Sequence, residues 1–463
     1  MAPAQKTITP IDGSVYVTRP LASNTQIASA LSQARKAQAA WRNIPIAQRA
    51  AILSKAVDNF VAHKDEIATE ITWQIGRPIS QSPGEVRGFE ERARYMISIA
   101  GDALAEITPD SKPGFTRFIR REPLGVVFIV APWNYPYLTS VNAVIPALMA
   151  GNAVILKHSA QTPLCAERFA QSFKAAGLPN GLFQYLHLSH EHTLKLIGTD
   201  GIDYVAFTGS VDGGHAVTAA ASNRFIGLGL ELGGCDPAYV RADADIGYAI
   251  ENLVDGAFFN SGQSCCGIQR IYVHSSVYKK FLDGFVDLTK KYKLGDPRDT
   301  NTNLGPVVRA SAAAEIRRQI AGAVRGGAKA LIDPKHFKAD KKSTAYLAPQ
   351  VLQVTNAKNS ILQQECFGPV VGIMKVRNDP EAVKYMNDSP YGLTASVWTA
   401  DATAANTLGA QVETGTWFMN RCDYLDPALA WTGVKDSGRG VSLSRIGYEQ
   451  LTRPKSFHLR TQL

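Results

Sequence analysis

The feature that most constrains this chain is a series of short β-branched and aromatic runs, each trailed by a loop and a helix-patterned segment. Four occur in the first half: GVVFIVAP (125–132), NAVILKH (152–158), LFQYLH (182–187) and YVAFTGS (204–210). Strands separated by helices pair in parallel through crossovers, so these runs predict an α/β fold built on a parallel sheet. A second series follows in RIYVHSS (270–276), KALID (329–333) and VVGIMKV (370–376), and the break between the two falls near Glu231 to Gly234. At 463 residues the chain exceeds what one hydrophobic core supports, which fits two parallel-sheet domains meeting at that break. Upstream, Ile27, Leu31, Ala34 and Gln38, then Ile46, Ala50, Leu53, Val57 and Phe60, recur at helical spacing and predict a helical layer, with Asn24 as the first N-cap. Arg117–Glu122 and Lys455–Arg460 read as strands outside both sheets, a small β element suited to pairing subunits.

Composition excludes several function classes. The chain is 45% hydrophobic and 19% charged, ordinary for a globular protein. Its net charge of +9 is spread along the chain with no aromatic-interleaved basic tract, which argues against nucleic acid and for a surface that favours anionic ligands. Six cysteines, Cys165, Cys235, Cys265, Cys266, Cys366 and Cys422, form no CxxC pair and no paired spacing with histidine, so neither a metal site nor a disulfide framework is expected. Reduced thiols point to a cytoplasmic setting. The first ten residues carry no signal-like region, and the most apolar stretch, Val126 to Leu156, is interrupted by Pro132, Asn134, Pro136 and Pro146, so no membrane span is expected.

Four segments carry candidate chemistry. In FFNSGQSCCG, Cys265 sits among Gly262, Ser264 and Gly267, small neighbours that leave a thiol approachable and its backbone N–H free for a developing oxyanion; two buried, inert thiols are the alternative. Glu231 in GLGLELGG is flanked by glycine and leucine, which strip water from a carboxylate and raise its pKa toward that of a base, although a helix cap or ion pair would use the same residue. Asn134 in APWNYP offers a neutral side-chain amide just after a strand, or is only a turn residue. FTGSVDGG places Gly209, Ser210 and Gly214 at a strand-to-helix turn whose N–H groups suit a pyrophosphate, or simply a tight turn, and the usual GxGxxG is absent.

Taken together and in order, APWNYP, NAVILKHSAQTP, FTGS, ELGG, NSGQSCCG, ECFGPVVG and GVKDSGRGVSLSRIGYEQLT resemble the aldehyde dehydrogenase superfamily, from about residue 20 to the C-terminus. The resemblance implies two Rossmann-like domains: a cofactor-binding domain over 1–102 and 123–233, a catalytic domain over 234–442, and an oligomerisation element from 103–122 and 443–463. It implies NAD(P)-dependent oxidation of an aldehyde to the acid, without a metal. Cys265 would be the nucleophile, since it follows Gln263 by two residues, with Cys266 only its neighbour. Glu231 would be the general base that activates water, and Asn134 the oxyanion donor. Glu365 and Phe367 would hold the nicotinamide ribose and ring, Lys157 the adenosine ribose, and Ser210 with the turn after Phe207 the pyrophosphate. Trp133, Ser159, Ala160, Thr208, Gly209, Gly214, Leu232 and Gly233 complete the cofactor-binding set that the resemblance implies.

The chain departs from the family pattern in two places. Many NAD-preferring members carry a Glu where this chain has Ala160; its loss removes repulsion of a 2′-phosphate, and with Lys157 and His158 adjacent, NADP is expected to be tolerated. A carboxylate credited with proton relay is replaced by Ser442, which leaves Glu231 to pass its proton through water or backbone. Substrate-side candidates are Tyr135, Ser264, Cys266, Arg421 and Trp431, with Trp431 expected to pack beneath its loop rather than line the substrate mouth. An aliphatic or aromatic aldehyde is the main expectation. An acidic one of the succinic semialdehyde type, held by Arg421, is the alternative. A CoA-acylating relative and a catalytically silent protein on the same fold are rivals, disfavoured by Glu231 and by the intact set of site residues. A homodimer or homotetramer is expected.

Overall fold

The computed structural model describes residues 3–462. The chain opens with a hairpin, β1 (Ala4–Ile8) against β2 (Val15–Pro20), that no alternation in the segment announces. Four helices follow: α1 (Asn24–Trp41), α2 (Ile46–Val61), α3 (Lys64–Ile75) and α4 (Pro83–Ala103). The cap of α1 is Ser23, not Asn24. The Ser23 hydroxyl accepts the Gln26 N–H at 3.2 Å while the Gln26 side chain accepts the Ser23 N–H at 2.8 Å, a reciprocal arrangement that Asn24 is one residue too late to make. The buried face of α1 ends at Trp41, whose indole N–H donates to the Leu148 carbonyl at 2.8 Å and ties the helical layer to the apolar segment behind it.

After β3 (Phe115–Pro123) the alternation read from the sequence appears as β4 (Val126–Val130), α5 (Pro136–Met149), β5 (Ala153–Lys157), α6 (Pro163–Ala175), β6 (Phe183–Tyr185), α7 (His190–Ile197), β7 (Tyr204–Thr208), α8 (Val211–Ala220) and β8 (Gly227–Glu231). Strand order places β7 and β5 on either side of β4, with β8 beyond β7 and β6 beyond β5, all parallel. Every residue of β4 and β5 is buried, because helices cover both faces, and this is why VVFIV and AVILK show no polar alternation.

Four residues, Leu232 to Cys235, carry the chain from β8 into a second sheet at β9 (Asp236–Val240). There follow α9 (Ile246–Phe258), β10 (Ile268–His274), β11 (Lys329–Ala330), β12 (Gln350–Val354), β13 (Val370–Val376), β14 (Tyr391–Gly392), β15 (Thr394–Trp398) and β16 (Thr416–Met419). The order is β11-β12-β13-β10-β9-β15-β16. KALID is not a parallel core strand: only Lys329 and Ala330 pair, antiparallel and exposed at the sheet edge. The chain then makes β17 (Val434–Lys435) and β18 (Gly438–Arg439), and β18 returns to the first sheet, antiparallel to β8 with Gly438 opposite Glu231. A Cβ at Gly438, where φ is +121°, would lie 1.9 Å from the Leu230 carbonyl oxygen, so glycine permits this approach.

Lastly β19 (Thr452–Arg460) pairs with β3 over nine residues in an antiparallel ribbon belonging to neither large sheet. Phe118 and Phe457 stack across it with centroids 4.5 Å apart. Among the described residues no helix is long and apolar enough to cross a membrane.

Candidate active site

After α9 the backbone turns sharply through Asn260, Ser261 and Gly262, with φ of 52°, 56° and 70°. Left-handed conformations at Asn and Ser cost about 1–2 kcal/mol each and persist only when surrounding groups determine them. Here the Asn260 side chain accepts from Arg77 Nε at 3.0 Å and donates to the carbonyls of Asn134 and Gln263 at 3.1 and 3.2 Å, and Ser261 donates to the Gly305 carbonyl at 2.8 Å. At Gly262 a Cβ would lie 2.2 Å from the Gly368 carbonyl oxygen. The turn delivers Ser264, Cys265 and Cys266 to a cavity of about 430 Å³ whose walls include Tyr135, Glu231, Asp423 and Trp431.

The adjacent thiols are not equivalent. Cys266 is buried and donates to Asp423 Oδ1 at 2.9 Å; its hydrogen bond with Cys265, burial and the Asp423 charge hold its pKa well above the usual thiol value. Cys265 is half-buried, and among the described residues no acceptor takes its backbone N–H. Asn134 is buried just before α5 with its side-chain amide donating to the Gln263 carbonyl at 3.2 Å, which leaves its second N–H uncommitted. Its own carbonyl accepts from Arg77 Nη2 and from Asn260. Arg77 also forms a fully buried 2.5 Å ion pair with Glu85, whose other oxygen accepts the N–H groups of Tyr137 and Leu138 at 2.9 and 3.0 Å. Arg77, Glu85 and Asn260 thus brace Asn134 and the start of α5. No local pattern marks them, since each acts across 50 or more residues of sequence or at the far end of a turn.

Glu231 ends β8, and burial pushes its carboxyl pKa up. The Ser442 hydroxyl donates to Glu231 Oε1, and that bond, the Arg92 charge and the Trp431 and Thr208 side chains offset part of the rise. Trp431 is buried, exchanges two backbone hydrogen bonds with Ser442 and also lines the cavity, so it packs and faces the site at once. Tyr135 lines the cavity with its hydroxyl buried and unpartnered and the Arg77 guanidinium 4.6 Å from its ring centroid. Arg421 does not line the cavity: it is exposed, its guanidinium 3.5 Å from the Tyr424 ring centroid, so the expected carboxylate contact is not built at that residue. Aromatic stacking holds it outside the wall. The cations that line the cavity are Arg77, Arg87 and Arg92, none of which the motifs point to.

The residues suited to a dinucleotide gather where the strands of the first sheet end. Lys157 closes β5, buried, its pKa lowered by that burial, and makes no ion pair among the described residues. Ser159 accepts the Gln161 N–H at 3.2 Å, and Ala160 is exposed. His158 adds no charge beside Lys157: it is buried, its pKa is pushed down to about 4, and its ring nitrogens meet the Pro136 carbonyl at 3.0 Å and the Thr162 hydroxyl at 2.9 Å. Phe207 and Thr208 end β7, Gly209 donates to the Glu231 carbonyl at 3.0 Å, and Ser210 caps α8 by accepting the Gly213 N–H at 3.2 Å. A Cβ on Gly209 would lie 2.6 Å from the Phe207 ring, on Gly214 2.7 Å from Leu232, and on Gly233 2.5 Å from the Glu365 carboxylate. Glu365 accepts the Gly234 N–H at 3.1 Å, with its pKa pushed up to about 7 by burial. Phe367 meets Trp133 edge to face at 5.6 Å. Among the described residues no cluster of three or more His, Cys, Asp or Glu is placed to hold a metal.

Two largely parallel sheets joined just after Glu231, with Cys265 on the wall of a cavity and a glycine-rich βα turn beside Glu231, define an α/β fold with its candidate site at the junction of the sheets. The profile of the aldehyde dehydrogenase family matches residues 2–457, and the chain belongs to that family, as an NAD(P)-dependent oxidoreductase acting on aldehydes. It is 33% identical over 458 residues to a probable succinate-semialdehyde dehydrogenase [NADP(+)] of Synechocystis sp., covering 97% of this chain and 98% of that one. It is 32% identical to the succinate semialdehyde dehydrogenase [NAD(P)+] Sad of Escherichia coli, over 96% and 95% of the two chains. The succinic semialdehyde dehydrogenase of Streptococcus pyogenes, solved with NADP+, superposes with a TM-score of 0.94 at 28% identity, covering 98% of this chain and all of that one.

Proposed function

We propose that Cys265 is the nucleophile of aldehyde oxidation, Asn134 and the Cys265 N–H the oxyanion donors, and Glu231 the base that activates water. The observation that carries this reading is the contrast between two thiols on one cavity wall, Cys266 buried and donating to Asp423 while Cys265 is half-buried and makes no such bond among the described residues. The thiolate of Cys265 adds to the aldehyde carbon, and the oxygen that gains charge meets two neutral donors, which stabilise it without opposing loss of a hydride. When bound, the nicotinamide supplies the acceptor for that hydride. Glu231 then takes a proton from water as the water attacks the resulting thioester, the C–S bond breaks, and acid and free thiol are released. Replacing Cys265 by Ser tests the assignment: turnover should fall by more than about 10⁴-fold, and retained turnover would move the nucleophile elsewhere.

The dinucleotide reading rests on Lys157 and on the glycine-rich turn. Lys157 is buried without an acid among the described residues, and Gly209, Gly214 and Gly233 allow the backbone to pack closely against Phe207, Leu232 and the Glu365 carboxylate, where a Cβ would collide. Lys157 would take the adenosine ribose, the turn from Gly209 to Ser210 the pyrophosphate, and Glu365 with Phe367 the nicotinamide side. Use of NADP as well as NAD is supported by exposed Ala160 and by the relatives named for NADP(+), with no help from neutral His158. An acidic semialdehyde is the favoured substrate class, supported by the names of those relatives. The ribbon of β3 and β19 is the proposed assembly element of a homo-oligomer, and six thiols without a disulfide support a reducing, cytoplasm-like compartment.

A further inference from the structure

The cavity beside Cys265 is lined by three arginines in different states. Arg77 is neutralised by its ion pair with Glu85. Arg87 is exposed. Arg92, on α4, is 8% exposed and has no carboxylate within ion-pair distance among the described residues. One of its terminal nitrogens donates to the Leu138 carbonyl at 2.8 Å and to Asn142 Oδ1 at 3.3 Å; its Nε and other terminal nitrogen have no acceptor among the described residues. A buried, unpaired guanidinium is costly and is retained where an anion completes it. Beside it is a second unmet donor: Asn142, 3% exposed and lining the same cavity, has its Nδ2 buried without an acceptor. Of the acids that line the cavity, Glu85 is held by Arg77, Asp423 accepts from Ser264 and Cys266, Glu91 from Tyr424 and Glu231 from Ser442, while Asp255, exposed on α9, has no side-chain partner among the described residues and makes no ion pair with Arg92.

We propose that Arg92 and Asn142 form the subsite for a carboxylate at the far end of the substrate, which selects short ω-oxo acids over neutral aldehydes. This rests on the reading of Cys265 and Asn134 as the site of reaction. Leu138 and Asn142 fall in the first two turns of α5, whose N-terminal end is adjacent to Asn134. At 1.5 Å rise per residue the guanidinium they hold lies within roughly 10 Å of that end, a reach suited to a chain of about four carbons. Bidentate guanidinium contact gives the acid both affinity and orientation. Arg92 is therefore a specificity determinant, in the role that the sequence suggested for Arg421.

The experiment is the ratio of kcat/KM for 4-oxobutanoate to that for butanal, in the wild-type enzyme, R92Q and N142D. The wild type should favour the acid, and R92Q should lower the ratio on the order of 100-fold, mainly through KM, the size expected for losing a charge-assisted pair. N142D keeps the volume and offers Arg92 an internal carboxylate, so it too should lower the ratio and should abolish competition by succinate against butanal. A wild-type ratio near one, or a ratio unchanged in both variants, overturns the subsite while leaving the reaction assignment standing. Turnover of neither aldehyde by the wild type would instead overturn the reading of Cys265 on which the subsite rests.

Discussion

Cys265 and Cys266 share a local sequence and differ only in what the fold sets against each, so variants at the two should separate chemistry from packing. Exchange of Cys266 for Ser keeps a donor toward Asp423 and should hold kcat within about tenfold, while the same exchange at Cys265 removes the covalent step; reduced-cofactor absorbance reads both. Ser442 is open to a sharper test, because its hydroxyl stabilises the charged form of Glu231. Removing it in S442A should raise the Glu231 pKa, moving the acid limb of the kcat profile to higher pH, so that the rate falls at any fixed pH below the new midpoint. An unmoved limb would take Ser442 out of the proton chemistry. Glu365, pushed up to about 7, is a better acceptor for ribose hydroxyls once ionised. Cofactor affinity measured by titration should therefore weaken as pH falls through 7, and E365Q should flatten that dependence. Cys265, Glu231 and Asn134 stand out in the sequence as candidates because each lies in a short segment of small, apolar or aromatic residues, although the groups that hold Glu231 and Asn134, among them Ser442, Arg92 and Arg77, lie far along the chain. Arg77, Glu85, Arg92 and Asp423 do not stand out, since each owes its function to partners far along the chain.

At the scale of elements, glycine is the clearest lever, because the same residue serves opposite ends. Gly262 closes the turn before the thiols at φ +70° with its would-be Cβ 2.2 Å from the Gly368 carbonyl oxygen, whereas Gly101 sits exposed inside α4 with nothing within 4 Å. Alanine at 262 should strain the turn and displace Cys265, lowering both Tm and kcat. At 101 it should stabilise the enzyme by about 0.5–1 kcal/mol, through helix propensity and a less flexible unfolded chain. Thermal melts of the two variants check the contrast. The central strands β4 and β5 were readable because burial on both faces writes a nearly unbroken apolar run, and β7 and β13 because β-branched and aromatic residues dominate them. The β1–β2 hairpin and the edge strand β11 were not, being short and largely exposed, where packing leaves little imprint on residue choice. The N-cap of α1 was misplaced by one residue for the same reason: Asn24 and Ser23 are both capping types, and only the reciprocal bond with Gln26 decides between them.

For the molecule as a whole, the unsettled balance lies at the β3–β19 ribbon. Two strands alone are marginal in water, yet this pair runs nine residues outside both large sheets with most of its side chains at least partly exposed. Its aromatic residues Phe118 and Phe457 stack on each other, Arg120 covers both rings at 5.3 and 4.7 Å, and Leu459 remains 49% exposed. Support from the rest of the chain is mostly polar: a bridge from Ile107 to Ile119, ion pairs of Arg120 with Glu106, Arg121 with Glu449 and Glu122 with Arg42, and the Arg121 guanidinium on the Ala105 carbonyl. A second copy covering the ribbon would supply the missing burial, and at about 25 cal/mol per Å² even a modest 800 Å² of apolar contact would offset the exposure. Truncation after Leu451 removes β19 without touching Cys265, Glu231 or Asn134, so its effect reports on assembly. Sedimentation equilibrium should then find the full chain as a dimer or tetramer and the truncated chain at the mass of one subunit, with a lower Tm because β3 loses its partner. A full-length protein that sediments as a monomer would instead require the ribbon to be stable on its own stacking, and would remove it as an assembly element.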